Sequence, residues 1–293
     1  MLFHYGTFQP LWQQASLLQA GPQIPDGPES LHLNEPSVPR LLECLARRRW
    51  EGHGVLLHYS DPFLMRSAPL RDVEAWPGPT LLACGDLHHG PAPIETLEGY
   101  LKKEPHNAVL LTFNPSLVNC VQQRLNVPVR CLAPTFFRYP TATPTPISQR
   151  RLELLHVGSL GPHHPNRREI VQALLTRKSV PFRHATTHSA EEAATLYAQH
   201  ALVLNVPLNN DLNHRFFEVM AARVAQVIVG DRSLMGGLHQ VADRPDVFWA
   251  NSLDELEALV QHLFANPESL LHIPVAPPTE WPLKSLLKAA LAP

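Results

Sequence analysis

The segment Leu202-Val-Leu-Asn-Val-Pro-Leu-Asn-Asn-Asp-Leu-Asn-His-Arg-Phe-Phe-Glu218-Val-Met-Ala-Ala constrains the fold more than any other part of the chain. A short apolar run reads as a buried strand, a polar connection follows, and Arg215 and Glu218 stand at the start of a helical stretch. In an open parallel sheet, such a unit puts its loop and helix start at the carboxyl edge. Backbone N–H groups and a fixed carboxylate can meet a polar ligand there. Asn205, Asn209, Asn210, Asp211 and Asn213 crowd a connection that needs no such polarity to turn. The same residues also carry a plainer reading, with Asn213 as the helix N-cap and Arg215 paired to Glu218 at i, i+3.

The 293 residues are too many for one small domain and leave room for two of about 140, each with its own core. Hydrophobic residues at 44% and charged residues at 17% describe a globular chain. A net charge of -2 gives no basic face for nucleic acid, and the run Arg47-Arg48-Arg49 beside Trp50 reads as the solvated end of a helix. The amino terminus lacks the charged head and continuous apolar run of a secretion signal. No later stretch approaches the roughly 18 apolar residues of a membrane span, so a soluble cytoplasmic protein is expected.

Cys44, Cys84, Cys120 and Cys131 are widely spaced without a C-x-x-C pair, as expected of reduced cysteines packed as small hydrophobes. The 17 histidines include the doublets His88-His89 and His163-His164. Neighbours on a strand point to opposite faces, and no H-x-x-x-H completes a ligand set, so no metal site is expected.

Apolar runs alternate with helical stretches in the manner of strand and helix units feeding a parallel sheet. In the first half, strands are predicted at Val55–Tyr59, Leu81–Cys84, Ala108–Phe113 and Val129–Leu132, and helices at Val38–Trp50, Ile94–Lys103 and Pro115–Arg124. Residues 20–40, rich in Pro and Gly, read as a loop. Pro134 to Pro146 carries four prolines in thirteen residues and marks a linker, placing domains at 1–147 and 148–293. The second half reads as strand Leu152–Val157, the turn Gly158-Ser-Leu-Gly161, helix Arg167–Arg177, strand Pro181–Ala185 and a helix opened by the capping box Ser189-Ala-Glu-Glu192. Strand Ala201–Val206, helix Arg215–Ala222, strand Ala225–Val229 and helix Leu253–Phe264 follow.

Taken together, His156-Val-Gly-Ser-Leu-Gly161 after a strand, Arg167-Arg168-Glu169 opening a helix, and Asn213-His-Arg-Phe-Phe-Glu218-Val-Met-Ala resemble the GT-B glycosyltransferases. Within them, the likeness is to the group-1 and spore-maturation-protein (CgeB)-like families. It covers about residues 150–270, and Gly85-Asp-Leu-His-His-Gly90 adds a weaker likeness in the first half. The resemblance implies two Rossmann-like domains facing across a cleft, the first on the acceptor side and the second holding a nucleotide-sugar donor. The final helix would pack back on the first domain.

On this resemblance Glu218 accepts from the ribose hydroxyls, Gly158 and Ser159 let backbone amides approach the diphosphate, and Arg167 or Arg168 neutralises it. Asn205, Asn209, Asn213 and Arg215 complete the donor side. A carboxylate suits a vicinal diol and a guanidinium suits phosphate oxygens. Two departures stand out: Ala222-Arg223-Val224 replaces the glycine the family usually has after Met-Ala, and Asp211 stands seven residues before Glu218 where longer relatives carry a glutamate.

The expected activity is transfer of a sugar from a nucleotide sugar, a co-substrate rather than a cofactor, to an acceptor the sequence does not identify. No metal is called for, because arginines and helix dipoles can carry the diphosphate charge. Asp86, His88 and His89 are the candidates for an acid or base, since the turn that holds them follows the strand Leu81–Cys84. Two rival readings remain open. One is a catalytically silent scaffold that binds a nucleotide sugar or a protein; the other is a nucleotide-sugar epimerase.

Overall fold

The computed structural model describes residues 1–3, 18–50, 54–85, 87, 92–131, 139–161, 164–208, 211–233, 243–276, 288 and 291. The chain divides into two compact units, Met1–Arg138 with Glu280–Pro293, and Tyr139–Thr279. Each carries one parallel α/β sheet.

The sheet of the first unit has the order β3-β2-β1-β4-β5-β6-β7 among the described residues. Its strands are β1 (Leu2–Phe3), β2 (Gln19–Gly21), β3 (Ser30–His32), β4 (Leu56–Ser60), β5 (Thr80–Cys84), β6 (Ala108–Leu111) and β7 (Val129–Cys131). Every strand pair runs parallel. β5 and β6 are buried at every residue, which is why they read as continuous apolar runs rather than alternating ones. Helix α1 (Val38–Arg47) buries Val38, Leu41 and Leu45 in one core cluster with Phe3, Leu31 and Leu56. Helices α3 (Pro93–Lys103) and α4 (Val118–Gln122) bury Leu97, Tyr100 and Val121 in another. The short α2 (Pro62–Ser67) is capped by Asp61, which accepts from the Leu64 N–H.

Three of the sequence expectations need correction. Residues 20–40 are not a plain loop, since they contain most of β2 and all of β3. Arg48 is not merely solvated: its guanidinium donates to the Gly27 and Ser30 carbonyls and pairs with Asp26, and it lies over the Trp50 ring. That arginine therefore ties the β2–β3 segment to the end of α1. The cysteines are free, but Cys120 is exposed rather than packed.

In the second unit the order is β12-β11-β10-β8-β9, again all parallel. These strands are β8 (Arg151–Val157), β9 (Phe182–Ala185), β10 (His200–Asn205), β11 (Ala225–Val229) and β12 (Val247–Ala250), the last unforeseen in the sequence. One face buries α5 (Pro165–Arg177) and α8 (Leu253–Ala265) through Ile170, Leu174, Leu256 and Val260 against Leu154, Leu202, Leu204 and Val227. The other packs α6 (Ala190–Ala198) and α7 (His214–Ala221) through Ala193, Tyr197 and Val219 against Leu155, Val157 and Val203. Each such aliphatic side chain contributes roughly 1.5–3 kcal/mol by leaving water. A last short helix, α9 (Pro267–Leu271), joins the first cluster through Leu270.

The chain winds outward from β8 to β9, then returns to add β10, β11 and β12 on the other side. The direction of winding thus reverses between β8 and β10. At such a reversal the loops after the two strands leave in opposite directions and open a crevice at the carboxyl edge.

Candidate donor site in the second unit

The turn after β8 and the start of α7 after β10 meet at this reversal. Gly158 follows β8 with φ of 138°, a conformation that side-chain-bearing residues avoid. The Arg215 guanidinium lies directly where a Cβ at position 158 would stand. The glycine is therefore fixed twice, by its backbone angle and by the side chain that covers it. Arg215 Nη1 is buried with no hydrogen-bond partner among the described residues.

Asn213 is the N-cap of α7, its Oδ1 accepting from the Phe216 N–H, so the plainer reading of this asparagine holds alongside any ligand role. Its side-chain amide also pairs reciprocally with that of Asn205, each Nδ2 donating to the other's Oδ1 at 3.2–3.3 Å. Asn205 is fully buried at the last position of β10. The strand end and the helix start are thereby clamped across the loop between them.

The i, i+3 pairing of Arg215 with Glu218 is not how the side chains are arranged. Arg215 turns to Gly158, while Glu218 Oε2 accepts from the Tyr197 hydroxyl of α6 at 3.2 Å. Burial raises the Glu218 carboxyl above its ordinary range, opposed by the Arg215 charge and the Tyr197 hydrogen bond. The same burial, together with the Glu218 charge, pushes the Tyr197 phenol up.

Two histidines lie beneath the turn. His156 of β8 and His184 of β9 are register partners, with Nδ1 atoms 3.1 Å apart, so one ring donates to the other. Burial holds His156 down to about 2, helped by the Arg215 and Arg167 charges, and also lowers His184. Both rings stay neutral at ordinary pH.

The other expected residues are placed as follows. Arg167 is 6% exposed, and its Nε and Nη2 donate to the Val206 carbonyl at 3.2 and 3.1 Å, tying α5 to the end of β10. Arg168 is exposed. Ser159 is exposed and its Oγ accepts from the Gly161 N–H at 3.1 Å. Asp211 is buried at 1% exposure. Asn209, Asp86, His88 and His89 lie outside the described residues. Just before the last three, Gly85 N–H donates to the Ser60 carbonyl as β5 ends.

Tyr197, His156 and His184 were not singled out from the sequence. His156 stood inside the quoted turn motif, but its partner is set by strand register, and Tyr197 reaches Glu218 from another helix. A groove of about 700 Å³ lies along α5 and the ends of β11 and β12, lined by Asn166, Glu169, Arg177, Pro207, Asp231 and Asn251 and not by Gly158, Arg215 or Glu218. Among the described residues, no group of three or more His, Cys, Asp or Glu could hold a metal ion.

The helix end at Ala222-Arg223-Val224, where the resemblance implies a glycine, adopts a glycine-like backbone angle. Arg223 has φ of 56°, the left-handed angle suited to glycine. Its N–H still donates to the Met220 carbonyl.

Residues 149–276, nearly the whole of the second unit, match a family described as glycosyl transferase-like. Sucrose-phosphate synthase from Thermosynechococcus elongatus has a similar structure, with a TM-score of 0.53 at 11% identity over 93% of this chain and 87% of that one. TarM gives a TM-score of 0.47 at 9% identity over 80% of this chain and 53% of that one. No curated protein matches the chain significantly. The chain thus has a two-unit α/β fold like that of a sugar-transferring GT-B structure, and residues 149–276 are similar to the glycosyl transferase-like family. No helix among the described residues is long and apolar enough to cross a membrane.

Proposed function

We propose that the second unit holds the nucleoside diphosphate of an activated sugar and that the protein transfers the sugar to an acceptor. One observation carries this reading: at the reversal between β8 and β10, a glycine at a left-handed backbone angle, a cation with a buried N–H that no described residue meets, and a half-buried carboxylate lie together. Gly158 lets backbone approach the diphosphate, Arg215 supplies positive charge against the charge that builds on the leaving group, and Glu218 accepts from the ribose diol. Arg168 remains available at the exposed side, whereas Arg167 is engaged by Val206.

Asp86, His88 and His89 are our candidates for the group that takes the acceptor proton, because they follow β5 in sequence. The helix motif from Asn213 to Ala221 supports the narrower placement among CgeB-like enzymes.

A thermal-shift panel of nucleotides and nucleotide sugars tests the binding step, since a ligand of the native state raises the melting temperature. Product analysis then separates the classes. Sugar leaving the donor only when acceptor is present identifies a transferase, conversion of donor to its epimer an epimerase, and binding without turnover a scaffold. Glu218→Gln should weaken nucleotide binding by roughly 1–3 kcal/mol. Unchanged calorimetric affinity in the folded variant removes the ribose role.

A further inference from the structure

Tyr197 is a residue to which neither the family match nor the turn motifs give a role. It is 1% exposed, and its ring is set among Leu155, Val157, Val203, Val219 and Ala222. Its hydroxyl meets the Glu218 carboxylate. A buried hydroxyl needs a partner, and a backbone carbonyl would serve that purpose. Here the partner is the one carboxylate of α7, and it lies within the influence of the Arg215 charge that covers Gly158.

The neighbouring Arg215 acts on Glu218 through its charge and also interacts with the Tyr197 hydroxyl, while its guanidinium lies against Gly158. Among the described residues, Tyr197 supplies the sole hydrogen bond to the Glu218 side chain. The ring is buried in that apolar cluster, so its hydroxyl is presented to Glu218 from a packed position and holds Oε2 there. The phenol is held in its protonated, donating form by burial and by the facing carboxylate.

We propose that Tyr197 is a positioning residue that sets the ribose selectivity of the site by holding Glu218 Oε2 and presenting the carboxylate to the sugar diol. This rests on the assignment of Glu218 to the ribose. A carboxylate that already faces the diol keeps the full difference between a hydroxyl and a hydrogen at the 2′ or 3′ position. One that must first be oriented spends part of that difference on ordering.

Calorimetry with UDP, ADP and GDP, and with their 2′-deoxy and 3′-deoxy forms, tests this on the full chain. The wild type should bind the ribonucleotide at least about tenfold more tightly than one of the deoxy forms, as loss of a charge-assisted hydrogen bond implies. Tyr197→Phe keeps the ring and its packing. It should cut that ratio to about threefold or less while leaving the affinity for the deoxy form within about twofold. A merely structural role would weaken both forms alike and leave the ratio intact, which overturns the proposal.

Glu218→Gln is the control on the reading beneath it. If Glu218→Gln abolishes the ratio and Tyr197→Phe does not, the positioning role fails alone. If Glu218→Gln preserves the ratio, or no nucleotide binds, the ribose assignment falls and takes the proposal with it. Should Tyr197→Phe lose its cooperative melting transition, Tyr197→Met takes its place, since its adaptable side chain fills the buried space and removes the hydroxyl while leaving Glu218 intact. The same collapse of the ratio is then expected, and a preserved ratio again overturns the proposal.

Discussion

The guanidinium of Arg215 occupies the space that a side chain at Gly158 would need, so the turn after β8 and the start of α7 are made for one another. Gly158→Ala would place a Cβ on a backbone with φ of 138° and drive it into that guanidinium. A destabilisation of about 1–3 kcal/mol is expected by chemical denaturation, from backbone strain together with overpacking. Nucleotide binding should fall as well, because Arg215 must move. A variant with unchanged stability and affinity would show that the turn and the arginine are independent.

Arg223 ends α7 in a left-handed conformation that an L-residue adopts at a cost. Its own contribution there is slight, since its backbone carbonyl accepts a long 3.4 Å hydrogen bond from Arg150 and nothing in that bond requires its side chain. Arg223→Gly is therefore expected to raise stability by about 1 kcal/mol. A melting temperature equal to or below that of the wild type would refute this.

Arg167 and Arg168 are neighbours in sequence with opposite surroundings. Truncating Arg167 to Ala leaves the Val206 carbonyl without its donors and should cost about 1–3 kcal/mol of stability. Arg168→Ala, on the exposed face of the same helix, should stay within about 0.5 kcal/mol of the wild type. Equilibrium unfolding of the two variants side by side distinguishes a structural from a solvated arginine.

Buried histidines make the fold acid-sensitive. Burial lowers both His106 and His214 from 6.5 to about 4, and His58 lies well below its ordinary value. Above about pH 6.5 these rings are neutral whether the chain is folded or not, and their contribution is full. As pH falls from there to about 4, the unfolded chain takes up protons that the folded chain refuses, so stability declines through that window. For His214 the shift corresponds to about 3 kcal/mol. His214→Asn, with an amide to meet the Tyr139 hydroxyl now 3.1 Å from Nδ1, should flatten this acid limb in melts taken across the window. An unchanged slope would show that His214 does not carry it.

Strands buried on both faces were legible in the sequence because they are continuous apolar runs; β5, β6, β10 and β11 all emerge within two residues of their expected ends. β1, β2 and β3 were not, being two or three residues long and separated by Pro- and Gly-rich connections. β12 was missed for a similar reason, as Val247–Ala250 is too short to show a period. At the site, Gly158 and Asn213 announced themselves through local rules for turns and caps, and Arg215 and Glu218 through the helix motif. The partners they find, Gly158 for Arg215 and Tyr197 for Glu218, depend on which helices share a face of the sheet. No spacing along the chain encodes that.

The reciprocal amide bond between Asn205 and Asn213 closes the chain on itself at the mouth of the crevice. Whatever lies between the two residues is spared the task of aiming α7. The arc between them is not free to vary throughout, because the Val206 carbonyl holds Arg167 and Asp211 and Leu212 are buried; what the amide clamp adds is that the start of the helix carrying Arg215 and Glu218 is tied to β10 by side chains as well as by the chain itself.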